Sequence, residues 1–184
     1  TVYSFVFPAF PLPASFANCP SENDILRLGG NMGWLADESG LEKTSANFAA
    51  LTPLSHLKRA ADVFAQRTAV VWKSTRLSYA DYAARVSQLA SALALRGIQP
   101  GDVVATLLPN IPAQAEAHFG VPMTGAVLNT LNTRLDGEAI GFMLDHAGAK
   151  VLLTDREFSA TVADALKRTK VKPLVIDVDD AAYE

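Results

Sequence analysis

Short continuous apolar runs alternate with segments of helically spaced apolar residues along the chain from residue 52 onward. A continuous apolar run is typical of a strand covered on both faces, whereas helical spacing is typical of a helix with one buried face. The runs predict strands at 69–72, 103–108, 126–131, 151–154 and 174–178. The spaced segments predict helices between them, including one over 112–123.

Several of these helices carry end signals. Thr52 followed by Pro53 predicts a helix start, since proline is favoured at the first helical position. Ser78-x-x-Asp81 has the form of a capping box at the start of a second helix, and Gly97 stands where a C-terminal cap glycine is expected. A further helix, capped by Asp136 and closed by Gly148, is predicted to bury Ile140, Met143, Leu144 and Ala147.

The alternation of strand and helix predicts the fold class. Repeated βαβ units imply right-handed crossovers, so we expect an α/β fold with a mainly parallel sheet and flanking helices. The last predicted strand, 174–178, lies close to the end of the sequence, and we expect one of its edges to lack a partner. An open sheet edge favours the interpretation that the domain is truncated. A natural C-terminal edge strand is the alternative interpretation.

Residues 1–39 show neither the helical nor the strand period of apolar residues. Regularly spaced turn and capping residues begin near residue 40. Gly29-Gly30-Asn31-Met32 would be encoded by a purine-rich string ahead of a start codon, as at a bacterial ribosome-binding site. Our hypothesis is that translation starts at Met32 and that the preceding residues are a mistranslated leader. A genuine disordered or targeting extension is the alternative. The apolar residues 1–19 resemble a signal sequence but contain no Lys or Arg, which disfavours secretion.

Composition excludes several classes of protein. The net charge is −3 with scattered basic residues, so no basic face for nucleic acid is expected. Cys19 is the single cysteine, and the three histidines lie too far apart for a ligand motif, so no metal site is predicted. No apolar run approaches the roughly 20 residues that span a bilayer. We therefore expect a cytoplasmic protein without a membrane span.

Specific strings in the sequence resemble the opening of the AMP-forming acyl-CoA synthetases, members of the adenylate-forming ligase superfamily. The earlier strings are Leu77-Ser-Tyr-Ala-Asp-Tyr82, Leu89-Ala-x-Ala-Leu93, Arg96-Gly-Ile-x-Pro-Gly-Asp102-Val-Val-Ala105 and Leu108-Pro-Asn110. The later strings are Ala117-His-Phe-Gly-Val-Pro-Met123, Gly125-Ala-Val-Leu-Asn-Thr-Leu-Asn-Thr-Arg-Leu-Asp136, Phe142-Met-Leu-Asp-His-Ala147 and Lys150-Val-Leu-Leu-Thr-Asp-Arg-Glu-Phe158. Together they look like the branch of medium-chain and short-chain fatty acyl-CoA ligases and 3-methylmercaptopropionyl-CoA ligases. The resemblance covers residues 40–184, which would be the first part of that family's large N-terminal domain.

The resemblance implies a two-step ligase that uses ATP, Mg²⁺ and coenzyme A to convert a carboxylic acid into a thioester. The family's Ser/Thr/Gly-rich phosphate loop, its acidic ribose-binding motif and its catalytic lysine have no counterpart in these 184 residues. We therefore expect no catalytic residue here and no activity from this chain by itself. The rival hypothesis is a non-catalytic, stand-alone α/β binding module.

Arg134 is the one candidate for a direct role. It belongs to Asn132-Thr-Arg-Leu135, a predicted loop after a strand, where open parallel sheets bind ligands. In some relatives the arginine of the matching string reaches a phosphate of the coenzyme A nucleotide, and guanidinium suits such a contact. The alternative is a structural ion pair with an acid such as Asp136.

Other polar and aromatic residues are assigned structural roles. His118 is expected to pack within its helix, His146 to favour its helix dipole, and His56 to face solvent. The remaining assignments are Phe142, Met143 and Trp72 in the core, with the acidic pairs Asp37-Glu38 and Asp179-Asp180 solvated.

Overall fold

The computed structural model describes residues 3–4, 42–44 and 47–178. The predicted leader, apart from residues 3 and 4, lies outside this part of the chain. So do the proposed start at Met32, Cys19 and both acidic pairs. Their assignments therefore stay predictions.

The described residues alternate between strands and helices as the hydrophobic pattern predicts, except that an unpredicted strand at Thr75–Ser78 follows the strand at Thr68–Trp72 without a helix between them. The strands are β1 (Tyr3–Ser4), β2 (Thr68–Trp72), β3 (Thr75–Ser78), β4 (Val103–Leu107), β5 (Val127–Thr130), β6 (Val151–Asp155) and β7 (Leu174–Val178). The helices are α1 (Pro53–Val63), α2 (Tyr79–Leu95), α3 (Pro112–Met123), α4 (Gly137–Ala147) and α5 (Ser159–Arg168), with a short 3₁₀ helix at Arg156–Phe158. The bounds of α3 and β7 coincide with the predicted ones.

Five strands form one parallel sheet in the order β1-β7-β6-β4-β5. The prediction of a mainly parallel α/β sheet is confirmed. The expectation of an unpaired edge at 174–178 was wrong at two positions, because Tyr3 pairs with Ile176 and Ser4 with Asp177. The remaining two strands, β2 and β3, form a separate antiparallel hairpin.

The β2–β3 hairpin has a tight turn. β2 ends at Trp72 and β3 begins at Thr75. Lys73 makes the short turn possible by adopting a φ of 48°, the left-handed conformation that tight hairpin turns require. The outcome is a two-residue connection between Trp72 and Thr75.

Each face of the five-stranded sheet is covered by its own pair of helices. On one face, α2 and α3 contribute Leu93, Ala117 and Val121 to a core that includes Val104 and Leu153 of the sheet. On the other face, α4 and α5 cover alternate positions of the same strands. That core includes Ala105, Leu107, Leu152, Val175, Ile140, Leu144, Val162 and Ala165. The residues of β4 are buried on both sides, as its continuous apolar run predicts.

The predicted helix ends are present. Thr52 and Ser78 cap α1 and α2 through reciprocal side-chain bonds, and Asp136 caps α4 through Ala139 N. Gly97 and Gly148 both have positive φ at the ends of α2 and α4. Among the described residues, no helix is long and apolar enough to cross a bilayer.

Candidate ligand-binding edge of the sheet

The carboxyl ends of β4, β5 and β6 lie side by side at one edge of the sheet. After β4 the chain runs to α3 on one face, whereas after β5 and β6 it runs to α4 and α5 on the other face. Where neighbouring strands send their connections to opposite faces, the loops separate and leave a crevice. The structure therefore places a switch point, the common location of ligand sites in open α/β sheets, at the end of β4.

The loop after β5 is fixed at both of its ends. Leu131 is buried, and its N–H donates to the carbonyl of Thr106 on β4 at 2.8 Å. Leu135 packs against the core beneath α4. Asp136 accepts a hydrogen bond from Ala139 N at 2.9 Å and so caps α4. The loop between these anchors is short, and its path over the edge of the sheet is determined by them.

Arg134 lies at the exposed tip of this loop. Its backbone N–H donates to Asn132 Oδ1 at 3.0 Å. No hydrogen bond or ion pair joins its guanidinium to any side chain within 42–44 or 47–178. The carboxylate of Asp136, the partner in the structural alternative, is used as a helix cap. Within that part of the chain, the guanidinium of Arg134 is thus left without a polar partner at the carboxyl edge.

The two neighbouring loops contribute polar groups to the same edge. Asn110 lies three residues after the end of β4, in the bend before α3. Asp155 ends β6 and caps the 3₁₀ helix by accepting from Glu157 N at 3.0 Å. Neither Asn110 nor Asn132 was predicted to have a role. The position of Asn132 in a predicted loop was a usable signal, because the side chain of a loop asparagine commonly accepts a hydrogen bond from the backbone two residues further on.

A groove of 630 Å³ runs between the β2–β3 hairpin and the start of α3. Its lining is mainly apolar and includes Trp72, Ile111, Phe119 and the exposed His118. Trp72 is half-buried and packs against the first core, so its predicted core role is confirmed. Among the described residues, Trp72 Nε1 and Gln114 Oε1 have no hydrogen-bond partner, and both atoms are buried.

The histidines take peripheral positions. His118 is exposed and its Nδ1 lies 2.7 Å from the carbonyl oxygen of Gln114, so its predicted packing role was wrong. Helix α3 buries Ala117 and Val121 instead, while His118 is exposed. His56 is exposed, as predicted, and His146 lies in the last turn of α4.

Phe142 and Met143 were wrongly assigned to the core. Phe142 is 68% exposed and Met143 is 38% exposed, because α4 turns Ile140 and Leu144 towards the sheet. Phe142 stacks on His146 with ring centroids 5.7 Å apart and planes inclined by 11°. Neither Phe142 nor Met143 lines the groove beside α3.

The groups with shifted pKa values lie away from the carboxyl edge. Burial, followed by the charge of Glu116, raises the pKa of Tyr82, whose hydroxyl donates to the carbonyl of Ala115 at 2.7 Å. A hydrogen bond from Lys150, followed by one from Gln99 N, lowers the pKa of Asp102. Each group links two neighbouring elements of the fold through its hydrogen bond or ion pair, so we assign both to the scaffold.

Metal ligands are not assembled in this part of the protein. Within the described residues, no group of three His, Cys, Asp or Glu side chains is placed to hold a metal ion.

Comparison with known proteins identifies the family. The model of the family described as "AMP-binding enzyme" matches residues 57–184. The chain belongs to the AMP-binding enzyme family.

Curated relatives of this chain confirm the predicted resemblance to AMP-forming acyl-CoA synthetases. The acetate/butyrate–CoA ligase AAE7 of Arabidopsis thaliana, a peroxisomal protein, is 44% identical over 151 residues, which are 78% of this chain and 26% of the relative. The peroxisomal trans-cinnamate:CoA ligase of Petunia hybrida is 44% identical over 127 residues, covering 69% of this chain and 22% of that protein.

Solved structures of AMP-binding enzymes share the fold. The fatty acyl CoA synthetase of Mycobacterium tuberculosis superimposes with a TM-score of 0.64 at 29% identity, covering 70% of this chain and 27% of that one. The o-succinylbenzoate coenzyme A synthetase of Bacillus subtilis, solved with ATP and magnesium ion, gives a TM-score of 0.58 at 26% identity, covering 66% and 32%. The chain thus spans about a quarter of the length of the curated relatives it matches.

Proposed function

We propose that this chain is the first part of an ATP-dependent, AMP-forming acyl-CoA ligase. The observation that carries the proposal is the family match over residues 57–184, together with curated relatives that are CoA ligases. In the first step a carboxylate oxygen attacks the α-phosphorus of ATP, and the bond to pyrophosphate breaks. In the second step the thiol sulfur of coenzyme A attacks the acyl carbon, AMP leaves, and the thiol proton passes to solvent.

The contribution of this chain to that reaction is positional. The sequence contains no Ser/Thr/Gly-rich loop that could hold the triphosphate through backbone N–H groups. It also contains no counterpart of the family's lysine for the adenylation step. We therefore propose that the 184 residues alone are inactive and that catalysis requires the parts that the matched relatives have in addition. Within this chain, Arg134 is the residue proposed to touch a substrate.

Arg134 is proposed to bind a phosphate group of coenzyme A. Three features support this role: its place at the carboxyl edge, its exposure, and the lack of a polar partner for its guanidinium among the described residues. A guanidinium donates two parallel hydrogen bonds to a phosphate and keeps its charge at any physiological pH. The contact would hold the nucleotide end of coenzyme A while the thiol reaches the acyl-adenylate.

The substitution Arg134→Ala in the complete ligase tests this role. Since a hydrogen bond to a charged group contributes about 1.5–3 kcal/mol, the KM for coenzyme A should rise about 10-fold to 100-fold. ATP–pyrophosphate exchange, which reports the first step alone, should not change. The matched control is Arg59→Ala, which removes an exposed arginine of α1, away from the sheet edge. An unchanged KM for coenzyme A in Arg134→Ala would remove Arg134 from the site.

The family-level proposal has its own test. A complete protein containing this chain should catalyse ATP–pyrophosphate exchange with a carboxylic acid and form the corresponding thioester. Failure with acids from acetate to long-chain fatty acids and aromatic acids, in a folded protein, would favour the non-catalytic binding module.

The cytoplasm is the proposed compartment. Its support is the lack of Lys and Arg in the apolar residues 1–19, whereas several relatives are peroxisomal. Cell fractionation would distinguish the two locations.

A further inference from the structure

The loop that carries Arg134 is organised around the side chain of Asn132. Asn132 Oδ1 accepts the backbone N–H of Arg134 at 3.0 Å. In addition, the backbone carbonyl of Asn132 accepts the N–H of Leu135 at 3.2 Å. Together these bonds form an Asx turn closed by a backbone turn, which fixes three successive residues relative to Asn132.

This turn is held against rigid parts of the protein. On one side, Leu131 is 6% exposed and bonded to β4. On the other side, Leu135 packs on the core and Asp136 begins α4. Gly137 is buried where a side chain would collide with Asp164 of α5, so the start of α4 is pressed against its neighbour. The backbone N–H of Arg134 is thus satisfied by a side chain that is itself part of an anchored loop.

The guanidinium of Arg134, by contrast, has no polar partner within the described ranges. A fixed backbone with a free cationic head is the arrangement expected for a residue that must be ready for an anion. Fixing the backbone in advance reduces the ordering cost that binding would otherwise have to meet. Asn132 is itself an exposed residue.

We infer that Asn132 is the positioning residue for Arg134 in the capture of a phosphate-bearing substrate. Asn132 acts through the backbone of Arg134 and does not touch the substrate. This inference rests on the proposed function of Arg134 as a coenzyme A phosphate contact. It assigns a specific task to a residue to which the sequence pattern gave none.

A double-mutant cycle in the complete ligase tests the inference. Asn132→Leu removes the acceptor at similar side-chain size, and the KM for coenzyme A should rise about threefold to tenfold, as expected for a lost hydrogen bond of about 0.5–1.5 kcal/mol. The kcat and ATP–pyrophosphate exchange should stay at parent values. Asn132→Ser, whose hydroxyl can form the same turn more weakly, should recover part of the affinity. In an Arg134→Ala background, Asn132→Leu should have no further effect on the KM.

The outcomes separate the two proposals. If Arg134→Ala leaves the KM for coenzyme A unchanged, the proposed role of Arg134 fails. If Arg134→Ala raises the KM but Asn132→Leu does not, only the positioning role fails. An equal effect of Asn132→Leu with and without Arg134 would also overturn it, because the asparagine would then act independently. Amide hydrogen exchange at Arg134 provides a readout besides activity, since exchange should become faster in Asn132→Leu than in Asn132→Ser.

Discussion

Tyr82 shows how single polar residues are accommodated between α2 and α3. Its side chain is 6% exposed, its hydroxyl donates to the carbonyl of Ala115, and its ring meets Phe119 edge-on at 5.9 Å. Glu116, 7% exposed, pairs with Arg85 at 2.5 Å in the same interface. Both the burial and the charge of Glu116 oppose ionisation of Tyr82, so its pKa in the folded protein is raised.

The raised pKa of Tyr82 predicts a loss of stability at alkaline pH. In the unfolded chain the phenol ionises near pH 10, whereas the folded protein keeps it neutral, so the free energy of unfolding falls as pH rises above about 10. Tyr82→Phe should cost about 1 kcal/mol at pH 7, through the lost hydrogen bond. The same substitution should cost less at pH 11. Urea unfolding at both pH values measures the difference, and an equal cost at both would contradict the pKa shift.

At the scale of elements, α2 connects the hairpin to the sheet and depends on its first turn. Ser78 Oγ accepts from Asp81 N at 3.1 Å, and Asp81 Oδ2 accepts from Ser78 N at 3.3 Å. Ser78 is also the last residue of β3, so strand and helix meet without a loop. The cap therefore fixes the direction of α2 as well as satisfying its backbone groups.

Removing this cap should destabilise the protein. Ser78→Ala should lower the free energy of unfolding by about 1 kcal/mol, a typical value for loss of an N-cap. Ser87→Ala is the control on the same helix, because the hydroxyl of Ser87 donates a hydrogen bond to the carbonyl of Ala83 within the helix and does not cap it. Alanine is the better helix former there, so we expect a change within about 0.5 kcal/mol. Circular dichroism during urea titration measures both, and equal losses would contradict the capping role.

At the scale of the molecule, the described structure exposes apolar side chains at several places. Leu51, Leu95, Val63, Val71 and Phe142 are each more than half exposed. Phe142 is adjacent to Met143 on α4, so the two form one apolar patch beside a well-packed core. Exposed apolar patches promote association when nothing covers them.

The patch on α4 predicts self-association of the isolated 184-residue chain. Phe142→Ser combined with Met143→Ser should reduce the associated fraction in sedimentation velocity while changing stability by less than about 1 kcal/mol, since both side chains are exposed. Ile140→Ser, at a fully buried position of the same helix, should instead unfold the protein. An unchanged sedimentation profile in the double variant would show that association, if present, uses another surface.

The hydrophobic pattern predicted the described elements from residue 52 onward with nearly correct bounds, except for β3 and the 3₁₀ helix, which it did not predict. Thr52, Ser78 and Asp136 were recognised as caps because capping depends on the residue types in the first turn of a helix, which the sequence displays directly. The errors at His118, Phe142 and Met143 have a common origin. Each lies on a helix with apolar residues on more than one side, and the sequence does not show which side meets the sheet.

The sequence by itself determined the order of strands and helices, the helix ends and the parallel α/β class, because these depend on local spacing and turn chemistry. The specific strings also determined the family, which the comparisons confirm. Only the tertiary structure decided that β4 lies between β5 and β6, since strand order depends on long-range packing. That order places the Arg134 loop at a switch point. The tertiary structure also shows that Asp136 caps α4 and that Asn132 accepts a hydrogen bond from the backbone of Arg134. The guanidinium of Arg134 is thereby left without a polar partner among the described residues.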